Sequence, residues 1–326
     1  MSVINKLHSG GIVACYACQA ACAHCMYGSA PGVDYGYINE ETAAYLCERV
    51  SRFGCRAMHI GGGEPFTDLN GLVALIKTMR KHRIDIDYIE TNAAWVTGDE
   101  QRDMETLNAV VQAGGDCVMV SADLFHIEFI PFRKVQTLIH LLEKARIPYF
   151  VWQARYLSTL SKLDPDALYD EKRLDEELGR GARLDAAAEY GMGFNGRALN
   201  LARRLKTKKS AGDFLSGKPC DNLSGTNHFH ADLYGRYIPP GCTGMGIDLS
   251  DLGEPLSASA YPAMSRLYGG GLRALYDYAT GEGFEPVDTG YASKCDLCFA
   301  MRKYLYINDK KNHPDLTPGW FYRQGY

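Results

Sequence analysis

Apolar positions in the first half of the chain follow two alternating rhythms. Short apolar runs at 11–16, 57–60, 86–90, 117–121 and 149–153 have strand length. Between them lie longer segments whose apolar residues recur three or four apart. Asn39 predicts an N-cap for a helix to about Phe53, with Tyr45, Leu46 and Val50 on one face. The segment 69–81 turns Leu72, Leu75, Ile76 and Met79 inward. Thr97 and Glu100 read as a capping-box pair opening a helix to about Ala113, and 131–145 predicts the next helix. This βαβα alternation predicts parallel strands with helices outside. Five units are visible, and 193–197 is expected to begin a sixth strand, too few for a closed eight-fold barrel. The expected fold is α/β, an open partial (β/α)6 barrel with its site at the carboxyl ends of the strands.

The rhythm changes further on. Residues 160–189 are charged and helix-prone, and predict a solvated covering insertion. Residues 229–238 alternate around a turn at Gly235, a hairpin signal, and a helix is expected near 264–280. These shifts divide the chain into an expected barrel at 1–215, a small second unit of hairpin and helix at 216–310, and a tail at 311–326. The aromatic end, 320–326, is expected either to cover the barrel mouth or to pack on the core.

Composition narrows the function classes. Hydrophobic residues make up 46% of the 326, enough for a large core, and the net charge of −4 with a pI near 6.1 offers no bulk attraction to nucleic acid. No apolar run reaches the ~20 residues that span a bilayer. The first nine residues carry no signal pattern, so a cytoplasmic location is expected. Eleven cysteines in such a compartment point to metal ligation rather than disulfides. Cys47, Cys55 and Cys117 stand alone among apolar neighbours and read as structural thiols. The other eight fall into two sets of four.

In the first set, Cys18, Cys22 and Cys25 have C-x3-C-x2-C spacing. Three thiolates from one tight loop can bind three irons of a 4Fe–4S cluster and leave the fourth open. A zinc knot recruiting Cys15 is the alternative that spacing alone leaves open. Directly after the second strand comes Gly61-Gly62-Gly63-Glu64-Pro65. A cysteine loop after the first strand and this glycine turn after the second resemble the radical S-adenosylmethionine (SAM) superfamily, whose GGEP motif Gly62–Pro65 matches. The resemblance implies that this turn binds the SAM methionyl amine and that His24 lies near the adenine. It further implies polar contacts to SAM from Thr91, Asn92, Ser121 and Asp123. Arg155 is expected to reach the SAM carboxylate or ribose, and His126 to face the substrate as the candidate catalytic group.

The second set is Cys220, Cys242, Cys295 and Cys298. Two ligands flanking a hairpin, then a C-x2-C before a helix, resemble the SPASM/twitch appendage of the same superfamily, which implies an auxiliary 4Fe–4S cluster. A zinc ribbon, or ligation by His228 and His230, is left open by spacing. The cofactors implied are a SAM-binding 4Fe–4S cluster, SAM and a second 4Fe–4S cluster. The partners implied are a small-molecule or peptide substrate and a one-electron donor such as a reductase, flavodoxin or ferredoxin, with no nucleic acid and no membrane. Oxidation is the expected outcome, by dehydrogenation or crosslinking. Peptide epimerisation, the alternative, needs a spare thiol beside the substrate, and Thr243 rather than a second cysteine follows Cys242. With only a short stretch before Cys15, no fused leader-recognition domain is expected, and a small molecule or a peptide presented by another protein is the expected substrate. A non-catalytic electron carrier or zinc protein would leave the glycine turn and the barrel unexplained.

Overall fold

The structure is a computed structural model that describes residues 3–34, 36–191, 193–215, 218 and 220–325. Its strands are β1 (Ser9–Cys15), β2 (Ala57–Gly62), β3 (Asp85–Thr91), β4 (Val118–Ser121), β5 (Tyr149–Trp152), β6 (Asn227–Asp232), β7 (Arg236–Ile238) and β8 (Ile247–Asp248). They form one open sheet in the order β5-β4-β3-β2-β1-β6-β7-β8. Every pairing from β5 across to β6 is parallel, and β6-β7-β8 is antiparallel. The α/β reading and its five leading βα units therefore stand.

Helices α1 (Glu40–Arg52), α2 (Leu69–Lys81), α3 (Glu100–Ala113) and α4 (Phe132–Ala145) connect the first five strands. Their starts are capped as short polar side chains cap orphan amides: Asn39 accepts from Thr42, Asp68 from Gly71 and Asp99 from Arg102. The expected Thr97–Glu100 box does not form. Asp99 caps α3 instead, and the Thr97 hydroxyl donates to Asp103 at 2.8 Å.

The sixth parallel strand is not at 193–197. That segment is irregular and leads into a helix at Ala198–Leu205. Gly196 has φ of 56° and lies against the Met26 carbonyl, where a Cβ would collide. The segment thus wraps the cysteine loop and cannot extend as a strand. The hairpin supplies the missing strand: β6 pairs with β1, on the side away from β5, and turns at Gly235 (φ 73°) into β7. The expected domain limit at 215/216 falls beside residues outside the described set, and the sheet continues across it.

The segment 160–189 is less solvated than its charge suggests. Leu174, Ala186 and Ala187 are buried in the core around β4 and α4, and Arg183 is buried in a pair with Glu128 at 2.9 Å. Beyond the sheet, two long helices, Pro262–Gly281 and Lys294–Asp309, pack together. In the tail, Phe321 and Tyr322 are buried against Phe299 of the last helix, so this end docks on the core.

Candidate iron–sulfur site

The cysteine loop leaves β1 and is clamped from beneath by the glycine turn that leaves β2. Gly63 N–H donates to the Cys15 carbonyl at 2.8 Å, and Glu64 N–H donates to the Ala17 carbonyl at 2.9 Å. A side chain at Gly63 would fall on the Ala17 carbonyl, and Gly62 has φ of 129°. The glycines are thus required by backbone meeting backbone at the root of the loop. Gly61 makes room instead for the Glu90 carboxylate. The Glu64 carboxylate is fully buried and ties the ends of β2 and β3 together. It accepts from Phe66 N–H, from the Thr91 hydroxyl at 2.9 Å and from Asn92 N–H at 2.7 Å. Burial raises its pKa to about 7, against the pull of those donors.

Cys18, Cys22 and Cys25 line a cavity of about 510 Å³ together with His24, Gly62, Gly63, Glu64, Thr91, Asn92, Ser121 and His126. Ala20 N–H and the Asn92 side-chain amide each donate to Cys18 Sγ at 3.4 Å. Cys15 is turned away under the glycine turn, its thiol 3.5 Å from the Glu64 carbonyl, and burial raises its pKa to about 11. From the far side, Arg197 Nε donates to the Cys22 carbonyl at 3.0 Å and its guanidinium also reaches the Ser29 carbonyl.

Asp123 lies behind the cavity wall, fully buried. It accepts from the backbone N–H groups of Phe125 and His126, contacts His126 Nδ1 at 2.9 Å, and accepts from the Tyr190 hydroxyl at 3.1 Å. Burial disfavours its charge, yet the two neighbouring histidines hold its pKa well below the ordinary carboxylate range. Burial likewise opposes a charged His126, and Asp123 and Cys22 outweigh it, so that imidazole titrates well above its usual range. Burial dominates at His24 and lowers its pKa to about 4. His24 stacks on Phe125 with ring centroids 4.7 Å apart. Asp123 is therefore placed to orient His126 and His24 rather than to touch a ligand. Arg155 does not line the cavity. It donates to Gln153 at 2.9 Å and to the Glu189 carbonyl at 2.7 Å, and stays near solvent.

The second cysteine set also converges. Cys220, Cys242, Cys295 and Cys298 line one cavity of about 150 Å³, walled by Leu223, Met245, Leu267 and Leu272. Buried Arg302 lies in the same wall and donates to the Thr243 carbonyl and the Tyr322 hydroxyl, both at 2.9 Å. Burial raises the Cys295 pKa to about 11, with the neighbouring thiols adding to it. The two sets are joined through the loop after Cys25: the Thr243 hydroxyl, next to Cys242, donates to the Met26 carbonyl at 2.7 Å.

Residues 11–121 match the family model described as "4Fe-4S single cluster domain". This segment is similar to iron–sulfur cluster domains. No curated protein matches the chain in a sequence search. Among solved structures, the chain is similar to anSMEcpe with bound AdoMet and a Cp18Cys peptide, at 15% identity over 93% of this chain and 98% of that one, with a TM-score of 0.44. It is also similar to BtrN in complex with AdoMet and 2-DOIA, at 13% identity over 76% and 80%, TM-score 0.41. Streptococcus suis SuiB bound to precursor peptide SuiA matches at 14% identity over 90% and 76%, TM-score 0.38.

The donor set suits the cluster domain. Tetrahedral zinc with 2.3 Å bonds would draw thiolates to about 3.8 Å of one another. Among the described residues, the groups whose ligand atoms lie within 4.8 Å are His59/His228/His230 and His24/Asp123/His126, and neither cysteine set forms one. With Cys15 turned away under the glycine turn, the cavity is offered three thiols, a set that suits a cluster with one open iron better than a four-thiolate zinc site, and the two amides on Cys18 are contacts that stabilise a ligating thiolate. The cavity also holds residues the sequence reading passed over: Tyr27, His59, Tyr88, Glu90, Trp152 and Tyr190. Strand alternation could have found His59, two residues before Gly61 and on the same face.

Proposed function

We propose that the chain is a radical SAM enzyme that removes a hydrogen atom from a small-molecule or peptide substrate and oxidises it. The observation that carries this reading is the three-cysteine loop facing a large cavity, clamped by a GGEP turn. When bound there, a reduced 4Fe–4S cluster supplies the electron that splits SAM into methionine and a 5′-deoxyadenosyl radical. Cys18, Cys22 and Cys25 hold that cluster. The turn Gly62–Glu64 with Thr91, Asn92 and Ser121 binds SAM, and His24, packed on Phe125, borders the adenine. His126, fixed by Asp123, faces the substrate, and the walls exclude water.

Cys220, Cys242, Cys295 and Cys298 would hold a second 4Fe–4S cluster, which would supply a one-electron acceptor, within a twitch-type unit beginning near residue 216. Oxidation is favoured over epimerisation because, among the described residues, the thiols lining the large cavity are the three cluster ligands themselves. A cytoplasmic flavodoxin- or ferredoxin-type donor completes the cycle.

The test is anaerobic SAM cleavage followed by chromatography. Cys18→Ala, Cys22→Ala and Cys25→Ala should each abolish 5′-deoxyadenosine, since three ligands leave no spare. Undiminished cleavage in any of them sinks the assignment.

A further inference from the structure

Three histidines meet inside the large cavity, apart from both cysteine sets. His59 projects from β2, and His228 and His230 project from β6 across the intervening β1. Their ligand nitrogens all lie within 4.8 Å of one another. His59 Nε2 and His230 Nε2 are 3.3 Å apart. Two imidazoles on one tetrahedral zinc, with bonds of 2.0–2.1 Å, stand about 3.3–3.4 Å apart. Without a metal the same two nitrogens are within reach of an N–H···N hydrogen bond.

Several independent features hold the three together. Gly11 of β1 lies beneath the rings, and a Cβ there would fall on His59 and crowd His230. The β1–β6 register slips between Ser9 and Gly10, at His228, which adopts φ of 59°. A left-handed histidine at a bulge costs free energy and turns up where a side chain must be re-aimed. The His59 ring also donates to the Gly10 backbone, the kind of outer contact that fixes a ligating imidazole. The Glu90 carboxylate lies 3.5 Å from His59 Nε2 and supplies negative charge beside the group. The Tyr27 hydroxyl, buried without a hydrogen-bond partner, borders the same space.

We propose that His59, His228 and His230 form a binding site for a zinc-class divalent metal ion, with its fourth position open to the cavity. Three neutral imidazoles suit zinc and its neighbours, and three protein ligands with one open position is the arrangement of a reactive or substrate-holding ion rather than a structural one. A substrate carboxylate or carbonyl, or a water hydrogen-bonded to Tyr27, fits that position. The site stands whether or not the chain cleaves SAM.

The test is made on the anaerobically purified protein with its iron in place, incubated with one equivalent of Zn²⁺ and desalted. Mass-spectrometric metal analysis should find about one zinc per chain. Zinc-edge X-ray absorption should show nitrogen ligands at about 2.0 Å with imidazole outer-shell scattering. His228→Asn preserves the left-handed backbone at an exposed position, so the fold should survive. It should weaken zinc binding roughly 100-fold or more, beyond the 10–100-fold typical of losing an outer-shell contact, with iron content unchanged. His59→Asn should do the same from the buried side. Absence of retained zinc, sulfur ligands at about 2.3 Å, or unchanged affinity in His228→Asn each overturns the proposal.

Discussion

The two cysteine sets differ most in what surrounds them. Three thiols of the first face a cavity of about 510 Å³ lined also by five histidines, two carboxylates and a wall of aromatic rings and methionines. Four thiols of the second converge on a smaller cavity of about 150 Å³ lined by leucines, Met245 and Phe214, with Lys218, Lys294 and buried Arg302 in its wall. An incomplete ligand set beside polar space leaves room for a reactant. A complete set of four thiols in a small cavity leaves no iron open to a reactant and suits electron transfer. The division of labour proposed above rests on this contrast, and it can be attacked from either side.

The largest effect is expected at the root of the open site. Gly63→Ala puts a methyl group onto the Ala17 carbonyl and displaces the cysteine loop from the turn that clamps it. Iron should fall from about eight to about four per chain, and SAM cleavage should vanish while the second set keeps its metal. Full iron with normal cleavage would show that the clamp is dispensable.

The converse lesion should spare part of the chemistry. Replacing Cys295 and Cys298 with alanine should also remove about four irons, yet leave uncoupled SAM cleavage without product. Circular dichroism and gel filtration must accompany the assay, because metal binding and folding are coupled in small cysteine-rich units. Native-rate turnover in the folded variant would remove the second cluster from the electron path. Tightly bound zinc in place of the residual iron of a Cys18/Cys22/Cys25 triple alanine variant would make the second set a zinc site.

A subtler change tests the charge beside the second set. Arg302→Met keeps the bulk but removes the positive charge beside Cys298. The second cluster should become harder to reduce, by roughly tens of millivolts in a redox titration followed by electron paramagnetic resonance, because cluster potential follows local charge. The Thr243 carbonyl and Tyr322 hydroxyl also lose a donor, which should cost about 1–3 kcal/mol of stability. An unmoved potential would mean that the guanidinium serves packing alone.

How much of this was legible beforehand divides along similar lines. The strands, the helices α1 to α4 and both cysteine sets follow from local rhythm and spacing. Residues such as Asn39 and Asp68 act on amides three positions away, which a sequence displays. The sixth strand was misplaced because its partner is β1, more than two hundred residues earlier, and nothing local in 227–232 distinguishes a sheet strand from a free hairpin. The glycine turn was located correctly, but the reason for its glycines was only half seen, since Ala17 and Cys15 meet it through long-range backbone contacts. Arg155 and Asp123 sit at the predicted strand ends, yet one turns to Glu189 and the other stays behind the wall, choices made by neighbours distant in sequence. The histidine trio was visible as three residues and invisible as a group, because β1 had to place β2 and β6 on either side of Gly11.

The smallest expected effect concerns the frame behind the second site. Asp315 is fully buried, and its Oδ2 accepts from Ala263 and Met264 N–H at 2.8 Å each, capping the helix Pro262–Gly281. Its Oδ1 is buried without a partner. Burial raises its pKa from 3.8 to about 6, against the pull of those amides. The folded state therefore holds this proton more tightly than the unfolded chain does. Stability from this group is fully present below about pH 4 and is lost as the pH rises through about 6, about 3 kcal/mol in all. Asp315→Asn keeps an acceptor for the helix amides and cannot ionise. Measured against the native chain at each pH, the variant should gain in thermal midpoint between pH 5 and pH 7, by a few degrees at most. A difference between the two proteins that does not change over that interval would show that Asp315 is ionised in the folded state throughout, its charge carried by the two amides.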